Sequence, residues 1–355
     1  MNNSNSIYLL LFSLMILASC GKEDTAPETG SGIEGYARGV FISCEGSFNA
    51  NNGSVSWYNA DSNKIVNNLF EKINGRPAGD VVQSFALAGD YGVIVANNSQ
   101  KIEMVDLETF ESVTTITGFS YPRYFVYSGN GTGYVSNGRY DGQVFKIDIH
   151  TGTINDSITV GMGPEQMIIS GNYLFVANSG GWGYDNSVSV IDIRNGEVAQ
   201  TLTVGDIPVA LVADRDNNVW VLCRGKDKWT DEETDSKLVR INSQTMTVDT
   251  EIIIGQKGDD FNPSWLSVSP GGETLYFGEA EGLYAMSIDA GSQPSEPFIG
   301  EIFTTAGVHP ETGKIFALEV TDFSSPGKLH IYHEGNLSNS METGIAPGGI
   351  VFSAN

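Results

Sequence analysis

Apolar and polar residues alternate along most of the chain in short runs, and one run recurs. It is a strand rich in β-branched and aromatic residues that ends in Asp, Asn or His. Copies cover residues 55–59, 102–106, 144–148, 188–192, 238–242, 285–289 and 329–333, ending at Asn59, Asp106, Asp148, Asp192, Asn242, Asp289 and His333. The interval is about 42–50 residues, the length of one four-stranded blade of a β-propeller. Period-two alternation bounded by Gly, Asn and Asp predicts strands and hairpins, not helices.

Other strands fall into step around each copy. A strand such as 173–178 precedes it, and one such as 198–204 follows after a turn like Asn195-Gly196. Pro122, Pro164, Pro208, Pro263 and Pro347 then lead into a short apolar strand, a place where the missing N–H lies outside the ladder. Taken as innermost, these strands cover 81–87, 123–128, 165–170, 209–214, 264–269, 304–309 and 348–353. The last has no strand after it, and the strand at 39–44 has no inner strand before it. The two ends therefore complete one blade. The prediction is an all-β, seven-bladed propeller with four antiparallel strands per blade, closed by the C-terminal strand, which removes open sheet edges.

Loop lengths separate the two faces. Connections 88–90, 129–132, 171–172, 107–109, 149–152 and 193–196 are short and share one face. Connections 45–53, 74–80, 179–186, 224–236 and 255–262 are longer and share the other, where function is expected. They hold Phe48, Phe119, Tyr121, Tyr140, Trp182, Tyr184, Trp229 and Phe261 beside Arg76, Arg123, Arg139, Arg224, Lys226 and Lys228. Gln166 and Trp265, at the start of two inner strands, join this candidate ligand-binding set. Rings beside guanidinium and amide groups suit a large flat ligand with a polar rim.

The N-terminus adds a location. Residues 7–18 are an apolar run too short to span a bilayer, the core of a signal peptide. It ends in Leu17-Ala18-Ser19-Cys20, which resembles the bacterial lipobox and implies lipidation of Cys20. Gly21-Lys22-Glu23-Asp24 resembles the export tag of Bacteroidetes outer-membrane lipoproteins. The reading is a signal peptide over 1–19, a lipidated tether over 20–35, too polar to bury a core, and a propeller over 36–355. The formal charge of −24 excludes nucleic acid as the main partner. Cys44 and Cys223 end strands three blades apart and are expected as free thiols.

The repeat around 173–208 resembles the YncE-like, surface-layer-type propeller repeat, and covers nearly all of residues 36–355. Together with the lipobox and the Lys-Glu-Asp tag, the chain resembles the BtuG family of cobalamin-binding surface lipoproteins. That resemblance implies a corrinoid ligand on one propeller face, an outward-facing place on the outer membrane, and a TonB-dependent transporter as partner. No cofactor is required on this reading. A glycan- or protein-binding propeller is the alternative, and a lyase-like propeller enzyme the third. Against an enzyme stands the absence of a His-x-Glu-x-His, a Gly-x-Ser-x-Gly elbow or a Cys-His metal spacing. His150, His309, His330 and His333 read as structural. The runs Asp259-Asp260 and Asp231-Glu232-Glu233 read as solvated acidic loops, with calcium as the alternative.

Overall fold

The computed structural model describes residues 35–230, 232–259 and 261–353. The signal segment, the tether up to residue 34 and Cys20 lie outside the described residues, as do Asp231 and Asp260. Seven antiparallel sheets follow one another along the chain. The first joins both ends: Gly39–Cys44 pairs with Ser54–Asn59 on one edge and with Pro347–Ser353 on the other. Six sheets have four strands, and the sixth has three. Its fourth strand is reduced to a bridge between Leu283 and Ile299. The segment that would supply it holds Pro294 and Pro297, which cannot donate to a ladder.

Why these residues form blades is visible strand by strand. Second strands such as Tyr173–Asn178 and Tyr91–Ala96 are buried on both faces after their first residue, so they read as unbroken apolar runs. The outermost strand Ser112–Thr117 is largely solvated and reads as mixed polar residues. The recurring terminal Asp or Asn builds an Asx turn. Asp106 Oδ1 accepts the N–H groups of Glu108 and Thr109, both at 2.9 Å. Asp148 does the same for His150 and Thr151, and Asn242 for Gln244 and Thr245.

The core lies between blades. Phe175, Val190, Leu211, Val221 and Val239 pack the fourth blade on the fifth. Ala210, Trp220, Leu275 and Phe277 pack the fifth on the sixth. Between the last blade and the first, Phe316, Leu329 and Ile331 meet Val40, Ile42, Ile350 and Phe352. Each buried Leu, Ile, Val or Phe contributes roughly 1.5–3 kcal/mol, so the ring of interfaces carries the stability.

Candidate functional site

The inner strands begin at the long-loop face, and a β-bulge sits at the start of several. Pairing jumps from Val82 to Ser84, from Pro122 to Phe125, from Pro164 to Met167 and from Pro208 to Ala210. A bulge leaves a residue out of the ladder and re-aims its side chain. The residues so released include Gln83, Arg123, Glu165 and Val209, one per consecutive blade at the same place in the repeat. Arg123 Nε donates to Glu165 Oε2 at 2.9 Å, and its NH1 donates to Gln83 Oε1. Gln83, Arg123 and Glu165 are thus joined in a polar collar across three consecutive inner strands.

Burial works against the Arg123 charge, but the Glu165 carboxylate outweighs it and holds the guanidinium protonated. Burial, with Glu165 nearby, pushes the Tyr124 phenol up to about 12. Burial also raises the Glu45 carboxyl, with Arg123 opposing and Glu165 adding to the rise.

A cavity of about 500 Å³ opens beside this collar. Tyr121, Arg123, Trp182, Tyr184 and Arg224 line it, together with Tyr124, Glu165, Asp227 and Ser264. Arg139 lies between two of the rings, its Cζ 4.2 Å from the Tyr121 centroid and 3.9 Å from that of Trp182. Among the described residues Arg139 has no carboxylate partner, and its buried Nε has no hydrogen bond. The Nε of Arg224 is likewise unpartnered, while its NH2 donates to Asp227 at 3.2 Å.

Local structure fixes this arrangement. Asn137 ends its strand, and its Oδ1 accepts the N–H groups of Ser120 at 3.0 Å and Tyr121 at 2.8 Å. This pins the loop that carries the Tyr121 ring. Gly181, at φ 62°, lets the Trp182 loop turn against the Arg139 carbonyl, which a Cβ there would meet at 2.1 Å. The loop is tied down by Ser179 N–H donating to the Gly163 carbonyl at 2.9 Å. Asp185 closes it by accepting from Ser187 N–H at 3.0 Å.

The other sequence-predicted residues separate into two groups. Phe48, Tyr140 and Trp229 are exposed on loops of the same face but outside the cavity lining. Phe261 is half-buried beside Asn262, whose Nδ2 donates to the Arg224 carbonyl at 3.2 Å. Phe119 and Trp265 are instead core residues, 4% exposed each. Phe119 packs edge-on against Phe145, and Trp265 donates its indole N–H to the Phe303 carbonyl. Gln166 accepts the Leu211 N–H at 3.3 Å and ties two inner strands together.

Arg76 has turned outward to the second blade. It makes a two-pronged contact with Glu103, at 2.9 and 3.0 Å, and also bonds Ser112. Burial pushes the Glu103 carboxyl up, but hydrogen bonds from Arg76 and Lys101 outweigh it and hold it below the usual range. A depressed carboxyl stabilises above its unfolded pKa, and that stability is lost as pH falls through the folded value. Arg76→Ala is therefore expected to cost about 1–2 kcal/mol, moderated by the exposure of Arg76 and by the Lys101 contact that remains. Denaturant unfolding checks the loss.

Sequence reasoning passed over Tyr124, Glu165, Asp227 and Ser264. For two of them a signal was present: Glu165 and Ser264 each follow a Pro at the repeat position of Arg123. Cys44 and Cys223 are free and buried, and burial pushes the Cys44 thiol up to about 11. Three of the histidines have packing roles. His330 Nε2 bonds Glu319 at 2.8 Å, His309 packs on Phe316 and Phe352, and His150 lies against Gly131.

Fold and site together define a seven-bladed propeller with an aromatic and guanidinium-lined cavity on its long-loop face. The chain belongs to the family described as a domain of unknown function (DUF5074), which matches residues 38–335. No curated protein matches it. Among solved structures it is similar to a quinonprotein alcohol dehydrogenase-like protein from Bacteroides thetaiotaomicron. That match has 14% identity and a TM-score of 0.66, covering 90% of this chain and 79% of the other. It is also similar to Kuenenia stuttgartiensis hydrazine synthase, at 15% identity and a TM-score of 0.63, over 79% of this chain and 89% of the other. At these identities the likeness concerns the fold alone.

Proposed function

We propose that this is a lipid-anchored, outward-facing, non-catalytic binding protein that captures a corrinoid and passes it to a TonB-dependent outer-membrane transporter. The anchor is Cys20, and the ligand sits at the cavity beside Arg139. The observation that carries the reading is the Arg139 guanidinium held between the Tyr121 and Trp182 rings, with no carboxylate partner among the described residues. A corrin ring has broad apolar faces, an amide rim and a phosphate. Arg–carboxylate pairs at Arg123–Glu165 and Arg224–Asp227 offer a donor and an acceptor side by side, as an amide requires. Arg139 is the group left for a phosphate. Preformed geometry reduces the ordering cost of binding.

Titration of the purified protein with cyanocobalamin and cobinamide tests this by calorimetry. Saturable one-to-one binding is expected, with cobinamide weaker because it lacks the nucleotide phosphate. No heat and no co-elution of colour on desalting would sink the corrinoid reading. One observation favours a second ligand class: Glu165 and Asp227 stand beside Trp182 and Tyr184, the pairing of ring and carboxylate that suits a glycan. Failure with corrinoids and binding of oligosaccharides would select it.

A further inference from the structure

A second cavity, of about 350 Å³, opens between the fifth and sixth blades. It is lined by Gln256, Asp259, Glu279, Glu281, Tyr284 and Gln293, with no basic side chain among its walls. Glu279 ends the second strand of its blade, Thr274–Glu279. In the third blade the matching residue is Asn137, which fastens the preceding loop through its side chain. Glu279 has no such bond. It is 4% exposed, and its Oε1 has no hydrogen-bond partner. Gly255 of the fifth blade passes so close that a Cβ there would stand 3.1 Å from that oxygen.

A buried, unpartnered carboxylate oxygen is costly, and what faces this one makes the cost greater. Asp259 approaches from the preceding connection, with one carboxylate oxygen taken by the Gln256 N–H at 2.7 Å. Glu281 on the same hairpin accepts the Tyr284 hydroxyl at 3.1 Å. Ser236 and Gly255 from the fifth blade are neutral. Three carboxylates thus line a pocket with amide side chains and, among the described residues, no basic side chain; one of them, Glu281, is already engaged by Tyr284.

We propose that Glu279 and Asp259 form a site for a hard divalent cation of calcium size, completed by Gln256, Gln293 and water. Oxygen donors of mixed carboxylate and amide type are what calcium takes, and it tolerates the irregular geometry that magnesium does not. No three His, Cys, Asp or Glu side chains among the described residues gather at metal-ligand spacing. The site therefore rests on two charges, with amide and water oxygens supplying the rest. A cation there replaces the side-chain bond by which Asn137 fastens its own loop.

The test is thermal unfolding of chelator-treated protein at pH 8 with added calcium chloride, magnesium chloride or neither, paired with calorimetric titration of calcium. Calcium should raise the midpoint by at least about 2 °C, with magnesium well behind. Glu279→Gln should keep the fold, because the amide has nearly the shape of the carboxyl and buries no charge, and should lose the calcium response. No response in the wild type overturns the inference. So does an undiminished response in Glu279→Gln, which would put the cation elsewhere. Cobalamin titration is a separate experiment, so failure of one proposal leaves the other standing.

Discussion

On the proposed corrinoid reading, Trp182→Ala is expected to weaken cyanocobalamin binding by about 10–100-fold and to leave the unfolding midpoint nearly unchanged. The size follows from what the ring does. A stacked aromatic wall at a binding site is worth roughly 1–3 kcal/mol, which is that range in affinity. Trp182 also forms one side of the Arg139 sandwich, so its loss frees the guanidinium to swing and raises the ordering cost of binding. Stability should hold because the ring is 65% exposed, and an exposed side chain away from caps and cores usually moves stability by less than about 0.5 kcal/mol. Trp182→Phe should keep most of the affinity. Arg139→Ala should weaken cyanocobalamin more than cobinamide, since only the former carries the phosphate. Calorimetry on the three variants checks all of this, and an unchanged affinity for Trp182→Ala would remove the 179–186 loop from the site.

The propeller was legible because each blade writes the same physics into the chain. The Asx-turn Asp or Asn, the doubly buried second strand and the Pro before the inner strand all recur at one period. The site was legible only in part, and the failures share a cause. Loops have no period, so spacing does not reveal whether Phe119 or Trp265 points to solvent or into the seam between blades. Both rings lie in buried clusters between blades. Arg76 was misplaced for a related reason: its partner Glu103 lies 27 residues on, in a strand where a buried charge is unexpected. Arg123 and Glu165 differ, being 42 residues apart, which is one repeat. Aligning the blades would have placed both on the polar collar. In the sixth blade the outermost strand shrinks to one bridge, and Pro294 and Pro297 in that segment were the visible signal.

Removal of residues 347–355 should abolish cooperative folding. The strand Pro347–Ser353 is the inner strand of the first blade, and Gly39–Cys44 pairs along it from Gly39 with Ser353 to Cys44 with Pro347. Its Ile350 and Phe352 pack into the seam with Phe316, Leu318 and Leu329. The Phe352 ring lies 5.2 Å from His309 and 5.4 Å from Phe316. Losing the strand exposes Val40 and Ile42, leaves an unpaired edge in the first blade, and opens the seam to the seventh. Several large apolar side chains at roughly 1.5–3 kcal/mol each, plus a broken ladder, match the whole stability of a typical domain, about 5–15 kcal/mol. The unpaired edge also invites aggregation. Phe352→Ala provides the graded version: about 2–4 kcal/mol is expected, less than a fully enclosed ring because Phe352 is only partly buried. Circular dichroism melts and size-exclusion chromatography read both variants. A truncated chain that melts cooperatively near the wild-type midpoint would mean that the ring does not depend on its closing strand, and that each seam holds independently of the others.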